Sequence, residues 1–184
     1  MGVFDITELP LAAGLVGLCP MPGRGGDLRA DIALLAGWNT ELVVSLVEST
    51  ELATLGGAGL PDMLAGAGID WQHFPIRDFD IPSKTAQVGW ARLSTRISGL
   101  LRQGGRVVLH CRGGCGRTGM MALRLMVEQG EDPGAALLRL RALRPCAVET
   151  DAQQVWAEGA TATGANSSGG RSAGAVSTGG GRQR

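Results

Sequence analysis

The chain has 184 residues with 17 basic and 17 acidic side chains, a formal net charge of zero, which excludes a broad electrostatic grip on nucleic acid or an anionic membrane. Apolar residues make up 44% of it, enough to build one domain with a real core but in a chain too short for two ordinary ones. No uncharged apolar run approaches the roughly 20 residues that span a bilayer. The opening stretch, Met1 to Pro10, carries Asp5 and Glu8 and has no basic segment ahead of its apolar residues, so no secretory signal is expected and the location reads as cytoplasmic.

Leu15 to Leu18 forms the first expected strand. Asp27 then caps a helix through Leu28, Ile32 and Leu35 that ends at Gly37. The nearly continuous apolar run Leu42 to Val47 suits a strand buried on both faces. Two short helices follow, one after Ser49 and one after Leu60 with Pro61 in its first turn. Ile69 to Phe74 reads as a strand, and Pro75-Ile76-Arg77-Asp78-Phe79-Asp80-Ile81-Pro82 as a proline-bracketed loop too charged to be core. Ser83 caps a long helix closed by Gly104-Gly105, and Arg106 to Leu109 is the next strand. Helices are expected from Thr118 to about Gln129, from Asp132-Pro133 to Leu143, and from Thr150 to about Glu158. This alternation predicts a single α/β domain over residues 5–159, with a central, mostly parallel twisted sheet flanked by helices. Residues 160–184 collapse to Gly, Ser and Ala and are expected to form a flexible tail.

Ligands of such sheets bind beyond the carboxyl ends of the strands, and His110-Cys111-Arg112-Gly113-Gly114-Cys115-Gly116-Arg117-Thr118-Gly119 stands at such an end. A glycine-rich turn between strand and helix points successive N–H groups at one spot, and the helix N-terminus adds positive potential. Gly113, Gly114, Cys115 and Gly116 would line an anion cradle above the Cys111 sulfur. The thiolate is the nucleophilic form of cysteine, and the cradle, the helix terminus and a guanidinium all favour it. Arg117 supplies a planar two-pronged donor matched to phosphate oxygens, a geometry that lysine lacks. Thr118 can donate its hydroxyl to the sulfur. His110 suits hydrogen bonding to nearby backbone, orienting the cysteine, since a thiolate already formed needs no base.

His-Cys, five residues, then Arg-Thr-Gly resembles the signature loop of the cysteine-dependent protein tyrosine and dual-specificity phosphatases. Asp27 to Leu52, with Val43-Val44-Ser45-Leu46 and Glu48, together with Arg144-Pro145, Glu149-Thr150 and Gln153, is similar to the small dual-specificity subgroup of kinase-associated phosphatases and bacterial relatives. The resemblance implies a metal-independent hydrolase without cofactors, working through a cysteinyl-phosphate that water then cleaves. It also implies a general acid on a mobile loop before the cysteine. The pattern Pro-Ile-x-Asp-x-x-x-Pro puts Asp78 at that position, with Asp80 as the alternative. Gln153 matches a glutamine that positions the attacking water in some members, although a solvent-facing polar residue explains it nearly as well. Arg77 and Arg112 lie beside the site and could meet a second anionic group, with a solvated charge the simpler reading of Arg112.

The implied partner is a phosphorylated protein or a small phosphorylated molecule. A phosphate-binding interaction module, and the sulfur- and arsenate-handling enzymes that place a cysteine in an anion loop, are the alternatives. The oligomeric state stays open, with a monomer as one option. All four cysteines, Cys19, Cys111, Cys115 and Cys146, are expected to stay reduced in a cytosol. Cys111 and Cys115 have no second Cys/His pair near them, so no metal site is expected. Cys115 is either an inert small side chain or a thiol that resolves oxidised Cys111, a task open also to Cys19 or Cys146.

Overall fold

A computed structural model describes residues 4–159; the expected tail at 160–184 lies outside them. Strand β1 (Thr7–Leu11) turns directly into β2 (Gly14–Pro20). Helix α1 (Leu28–Gly37) leads to β3 (Leu42–Ser45), and the short helices α2 (Ser49–Thr54) and α3 (Leu60–Gly66) lead to β4 (Asp70–His73). The long helix α4 (Lys84–Arg102) precedes β5 (Arg106–Cys111), and α5 (Gly116–Glu128), α6 (Pro133–Leu143) and α7 (Asp151–Glu158) complete the fold.

The five strands lie in the order β1-β2-β5-β3-β4. All neighbours are parallel except β1 and β2, which form an antiparallel hairpin. That hairpin corrects the expected start of the fold: alternating exposed and buried residues in Thr7–Leu11 make a half-covered edge strand, a pattern too short to stand out in sequence. Covered by helices, β3 and the apolar part of β5 are fully buried, as their unbroken apolar runs anticipated.

This topology places the site. β5 sits in the middle of the sheet, and its last residue is Cys111. The nucleophile candidate is thus fixed by ladder pairing on both sides, with Pro20 of β2 opposite Cys111 and Ser45 of β3 opposite His110. Helix α5 starts five residues later, with buried residues throughout its first two turns. Helix α5 also packs on α6 and α7, and the Trp90 indole N–H of α4 reaches Glu128 at its end at 2.8 Å. The helix is anchored along its length, so its N-terminus cannot drift from the strand end. No helix among the described residues is long and apolar enough to cross a membrane.

Candidate active site

A pocket of about 260 Å³ opens at the end of β5, lined by Arg24, Asp78, Phe79, Cys111, Arg112, Gly113, Cys115, Gly116, Arg117 and Glu149. Every residue of the predicted cradle except the buried Gly114 is on its wall, together with the Asp78 loop from the far side. Cys111 is a free thiol, only 3% exposed. Gly114 adopts φ +72°, and a Cβ there would lie 2.5 Å from the Cys19 backbone, so the turn requires glycine on both counts. Among the described residues, no protein acceptor takes the N–H of Gly113, Gly114 or Cys115, which leaves them available to an anion.

Arg117 is the most heavily engaged side chain of the site. It is 1% exposed. Its Nη1 donates to Glu51 Oε2 at 2.6 Å and to the Ile76 carbonyl at 3.0 Å, and its Nη2 donates to Glu51 Oε1 at 2.9 Å. Nη2 also meets Asp78 Oδ1 at 2.9 Å. Only Nε is buried without a partner. Burial works against the guanidinium charge, yet the Glu51 hydrogen bonds and the surrounding anionic groups raise its proton affinity above the ordinary value. Burial likewise opposes the Glu51 charge, but the Arg117 hydrogen bond, the Glu48 N–H and the guanidinium charges outweigh it and hold Glu51 below the usual carboxylate range. Glu51 serves a second purpose in a capping box with Glu48 at the start of α2. Sequence reasoning missed Glu51 as a site residue, because a capping box explains a glutamate at that position fully.

His110 is fully buried, and its Nε2 lies 2.5 Å from Ser45 Oγ, which also accepts the Trp71 indole N–H at 2.8 Å. Nε2 therefore meets a side chain on β3, a partner that the sequence did not suggest. The parallel register that pairs Ser45 with His110 sets both on one face of the sheet. Burial lowers the His110 pKa to about 3, so the ring is neutral at physiological pH. Thr118 is also buried, but its hydroxyl has no hydrogen-bond partner; the expected donation to the Cys111 sulfur is not formed in this arrangement.

Of the two acid candidates, Asp78 lines the pocket and Asp80 does not. Asp80 is exposed and its carboxylate accepts the Ile81 N–H at 2.8 Å, an ordinary turn contact. Phe79, between them, is 61% exposed with φ +59°. The loop is tied to α7 through its carbonyls: Thr150 Oγ1 donates to Phe79 at 3.5 Å and Gln153 Nε2 to Asp80 at 3.3 Å. Gln153 is fully buried, and its Oε1 accepts the Glu149 N–H at 3.0 Å, so it is no solvent-facing residue. A Cβ on Gly116 would lie 3.1 Å from Gln153 Oε1 and 2.1 Å from Glu149 Oε2; only glycine lets these two side chains press against the cradle. Arg112 is exposed on the pocket wall, while Arg77 is exposed and outside it.

The cysteines require a correction. Cys115 and Cys146 form a disulfide, against the expectation that all four thiols stay reduced and that Cys115 is inert or resolves Cys111. Residues 31 apart in sequence give no local signal of pairing; only the fold, which returns the α6–α7 segment to the cradle, brings them together. Cys19 and Cys111 are the free cysteines, both buried. Burial pushes the Cys19 thiol well above its ordinary value.

Comparison with known proteins agrees with this geometry. A sequence model of the family described as "Polymorphic toxin system, DSP-PTPase phosphatase" matches residues 19–131, which run from the end of β2 through β3, β4, the Asp78 loop, β5 and the cradle to α5. The mouse (Mus musculus) protein tyrosine phosphatase domain-containing protein 1 is 29% identical over 126 residues, covering 64% of this chain and 16% of that protein. Its cattle (Bos taurus) counterpart is 30% identical over 95 residues, 51% of this chain and 11% of that protein. The chain thus spans about a sixth or less of the curated relatives that it matches. Among solved structures, Tk-PTP in its active form is 30% identical, with a TM-score of 0.64, 81% of this chain and 92% of that chain covered. A kinase-associated phosphatase with its catalytic cysteine replaced by serine superposes with a TM-score of 0.75 over 84% of this chain and 92% of that one. At 22% identity the latter likeness is one of fold. With a family match across more than half its length, this chain belongs to the dual-specificity and protein tyrosine phosphatase (DSP-PTPase) family of cysteine-dependent, metal-independent hydrolases.

Proposed function

We propose that this chain hydrolyses phosphomonoesters of proteins, phosphotyrosine and phosphoserine or phosphothreonine, with Cys111 as nucleophile, Asp78 as general acid and Arg117 as the phosphate clamp. The observation that carries the reading is the meeting of Asp78, Arg117 and Cys111 in one pocket at the end of β5. The substrate phosphoryl group sits on the free N–H groups of the Gly113–Gly116 turn and on the unpartnered Nε of Arg117. Cys111 Sγ attacks phosphorus as the ester bond breaks, and the leaving oxygen takes the proton of Asp78. Water then attacks the cysteinyl-phosphate with Asp78 as base, releasing inorganic phosphate and the free thiolate. Preorganised donors aimed at the phosphoryl oxygens supply most of the stabilisation. Thr118, whose buried hydroxyl has no other partner, donates to the departing sulfur, and Gln153 holds the acid loop.

The pocket mouth adjoins a larger cleft of about 500 Å³ that shares Arg24 and Gly113 with it. That neighbouring space suits a substrate longer than the phosphorylated side chain, and favours a peptide over a compact metabolite. Action in the cytoplasm, as a single catalytic domain over residues 5–159, belongs to the same proposal. A substrate panel tests it: phosphotyrosine and phosphoserine/threonine peptides should be hydrolysed in the presence of a metal chelator, with kcat/KM above that for small phosphorylated metabolites. The reverse order would assign the chain to metabolite hydrolysis, and phosphopeptide binding without turnover would make it an interaction module.

A further inference from the structure

The outer wall of the anion cradle is held by a segment remote in sequence. Arg144, at the end of α6, donates from Nε to the Gly114 carbonyl at 2.8 Å and from Nη2 to the Gly113 carbonyl at 3.2 Å. Two residues on, Cys146 is bonded to Cys115, with the Cα atoms 5.2 Å apart. In a trans peptide the C=O of one residue and the N–H of the next point opposite ways. Drawing the Gly113 and Gly114 carbonyls outward onto Arg144 therefore turns the Gly114 and Cys115 N–H groups inward, toward the anion position. The disulfide fixes the Cα of Cys115 at the helix N-cap, between this wall and the first turn of α5. The bond is within reach of solvent: Cys146 is exposed and Cys115 half-buried.

We propose that Cys146 is a redox-dependent positioning residue of the phosphate cradle. Bonded to Cys115, it locks Gly113 to Cys115 in the anion-binding form; with the bond open, the wall loosens and affinity for phosphate oxyanions falls. The inference rests on the phosphatase reading above. In the opening step, one thiolate of a dithiol reductant attacks Cys146 Sγ, the Cys115–Cys146 bond breaks, and Cys115 leaves as a thiolate. The second reductant thiolate then displaces Cys146 from the mixed disulfide. The reductant ends as a disulfide, and its two protons end on Cys115 and Cys146. A small disulfide as oxidant reverses the sequence. The bond also withdraws Cys115 and Cys146 as partners for an oxidised Cys111, leaving among the described residues only Cys19, buried.

The test uses the full chain purified without reductant, its disulfide mapped by mass spectrometry and its activity normalised to the Cys111 thiols that react with iodoacetate. Treatment with a dithiol should raise KM for p-nitrophenyl phosphate and Ki for inorganic phosphate about tenfold, with kcat much less affected, and a small disulfide should restore both. Cys146→Ala should start at the reduced values and ignore the dithiol. Equal constants in both redox states, tighter phosphate binding after reduction, or free Cys115 and Cys146 after treatment with a small disulfide would each overturn the proposal. The wild-type pair of states carries the test even where the variant fails to fold. Protection of Cys111 from iodoacetate by inorganic phosphate gives the affinity without turnover. A chain whose phosphate protection is redox-dependent but which never turns over keeps this proposal and loses the phosphatase reading.

Discussion

Asp78 Oδ1 lies 2.9 Å from Arg117 Nη2, so the acid loop rests on the same guanidinium that must receive the phosphate. Nη1 is shared between Glu51 and the Ile76 carbonyl and Nη2 between Glu51 and Asp78, so Nε is the N–H left without a partner. On the proposed mechanism, an arriving phosphoryl group takes Nε, competes with Asp78 for Nη2 and releases the carboxyl toward the leaving oxygen.

Removing the acid should therefore show a dependence on the leaving group. Asp78→Asn should lower kcat/KM, which reports phosphoenzyme formation, about 10²-fold or more for a phenyl or alkyl phosphate and far less for p-nitrophenyl phosphate, whose leaving group needs little protonation. Asp80→Asn should leave kcat/KM near wild type with both. A large loss confined to Asp80→Asn in steady-state kinetics would reverse the assignment.

Glu51 sets the attitude of Arg117 through two charge-assisted hydrogen bonds from within a capping box. Glu51→Gln keeps the shape but weakens both bonds, and should cost about tenfold or more in kcat/KM, appearing mainly as weaker inhibition by inorganic phosphate. Unchanged phosphate inhibition would show that Ile76 and the cradle orient Arg117 by themselves.

How much of this was legible in sequence follows from the range of the interactions. The cradle, its cysteine and its arginine are contiguous, so their meeting around one pocket could be read from spacing, and the buried runs of β3 and β5 announced the parallel sheet. Asp78 was reachable through the proline-bracketed loop. Glu51, Ser45, Arg144 and the Cys115–Cys146 bond were not, because each joins segments from different elements and each residue has an adequate local explanation. Gln153 was read through its resemblance to a water-positioning glutamine, with a solvent-facing residue as the alternative, whereas its burial against Gly116 and the Asp80 carbonyl is set by how α7 docks.

That docking gives Gln153 a kinetic signature. Both ends of its amide are engaged, by the Glu149 N–H and the Asp80 carbonyl, so Gln153→Ala should slow formation of the phosphoenzyme by freeing the acid loop. Rapid-mixing experiments with phenyl phosphate, whose leaving group needs the acid, should then show no burst of phenol. A burst followed by slow turnover would instead assign Gln153 to positioning the hydrolytic water.

His110 makes a prediction about acid stability. Its folded pKa of about 3 lies below the ordinary 6.5, so on acidification the unfolded chain takes up the proton first. The stability it confers is complete above pH 6.5 and is lost as pH falls from there toward 3, by about 1.4 kcal/mol per pH unit. Urea unfolding at pH 7 and pH 5 should show this loss, and His110→Asn should flatten it. An equal slope in the variant would contradict the neutral, Ser45-bonded ring.

The central claim is that Cys111 carries the phosphoryl group. Acid quenching of the full chain during turnover of p-nitrophenyl phosphate in the presence of a metal chelator, followed by peptide mass spectrometry, tests it directly. One phosphoryl group on the Cys111 peptide, absent together with all turnover in Cys111→Ser, is the predicted result. Turnover that survives Cys111→Ser, or a phosphoryl group found on another residue, would contradict it.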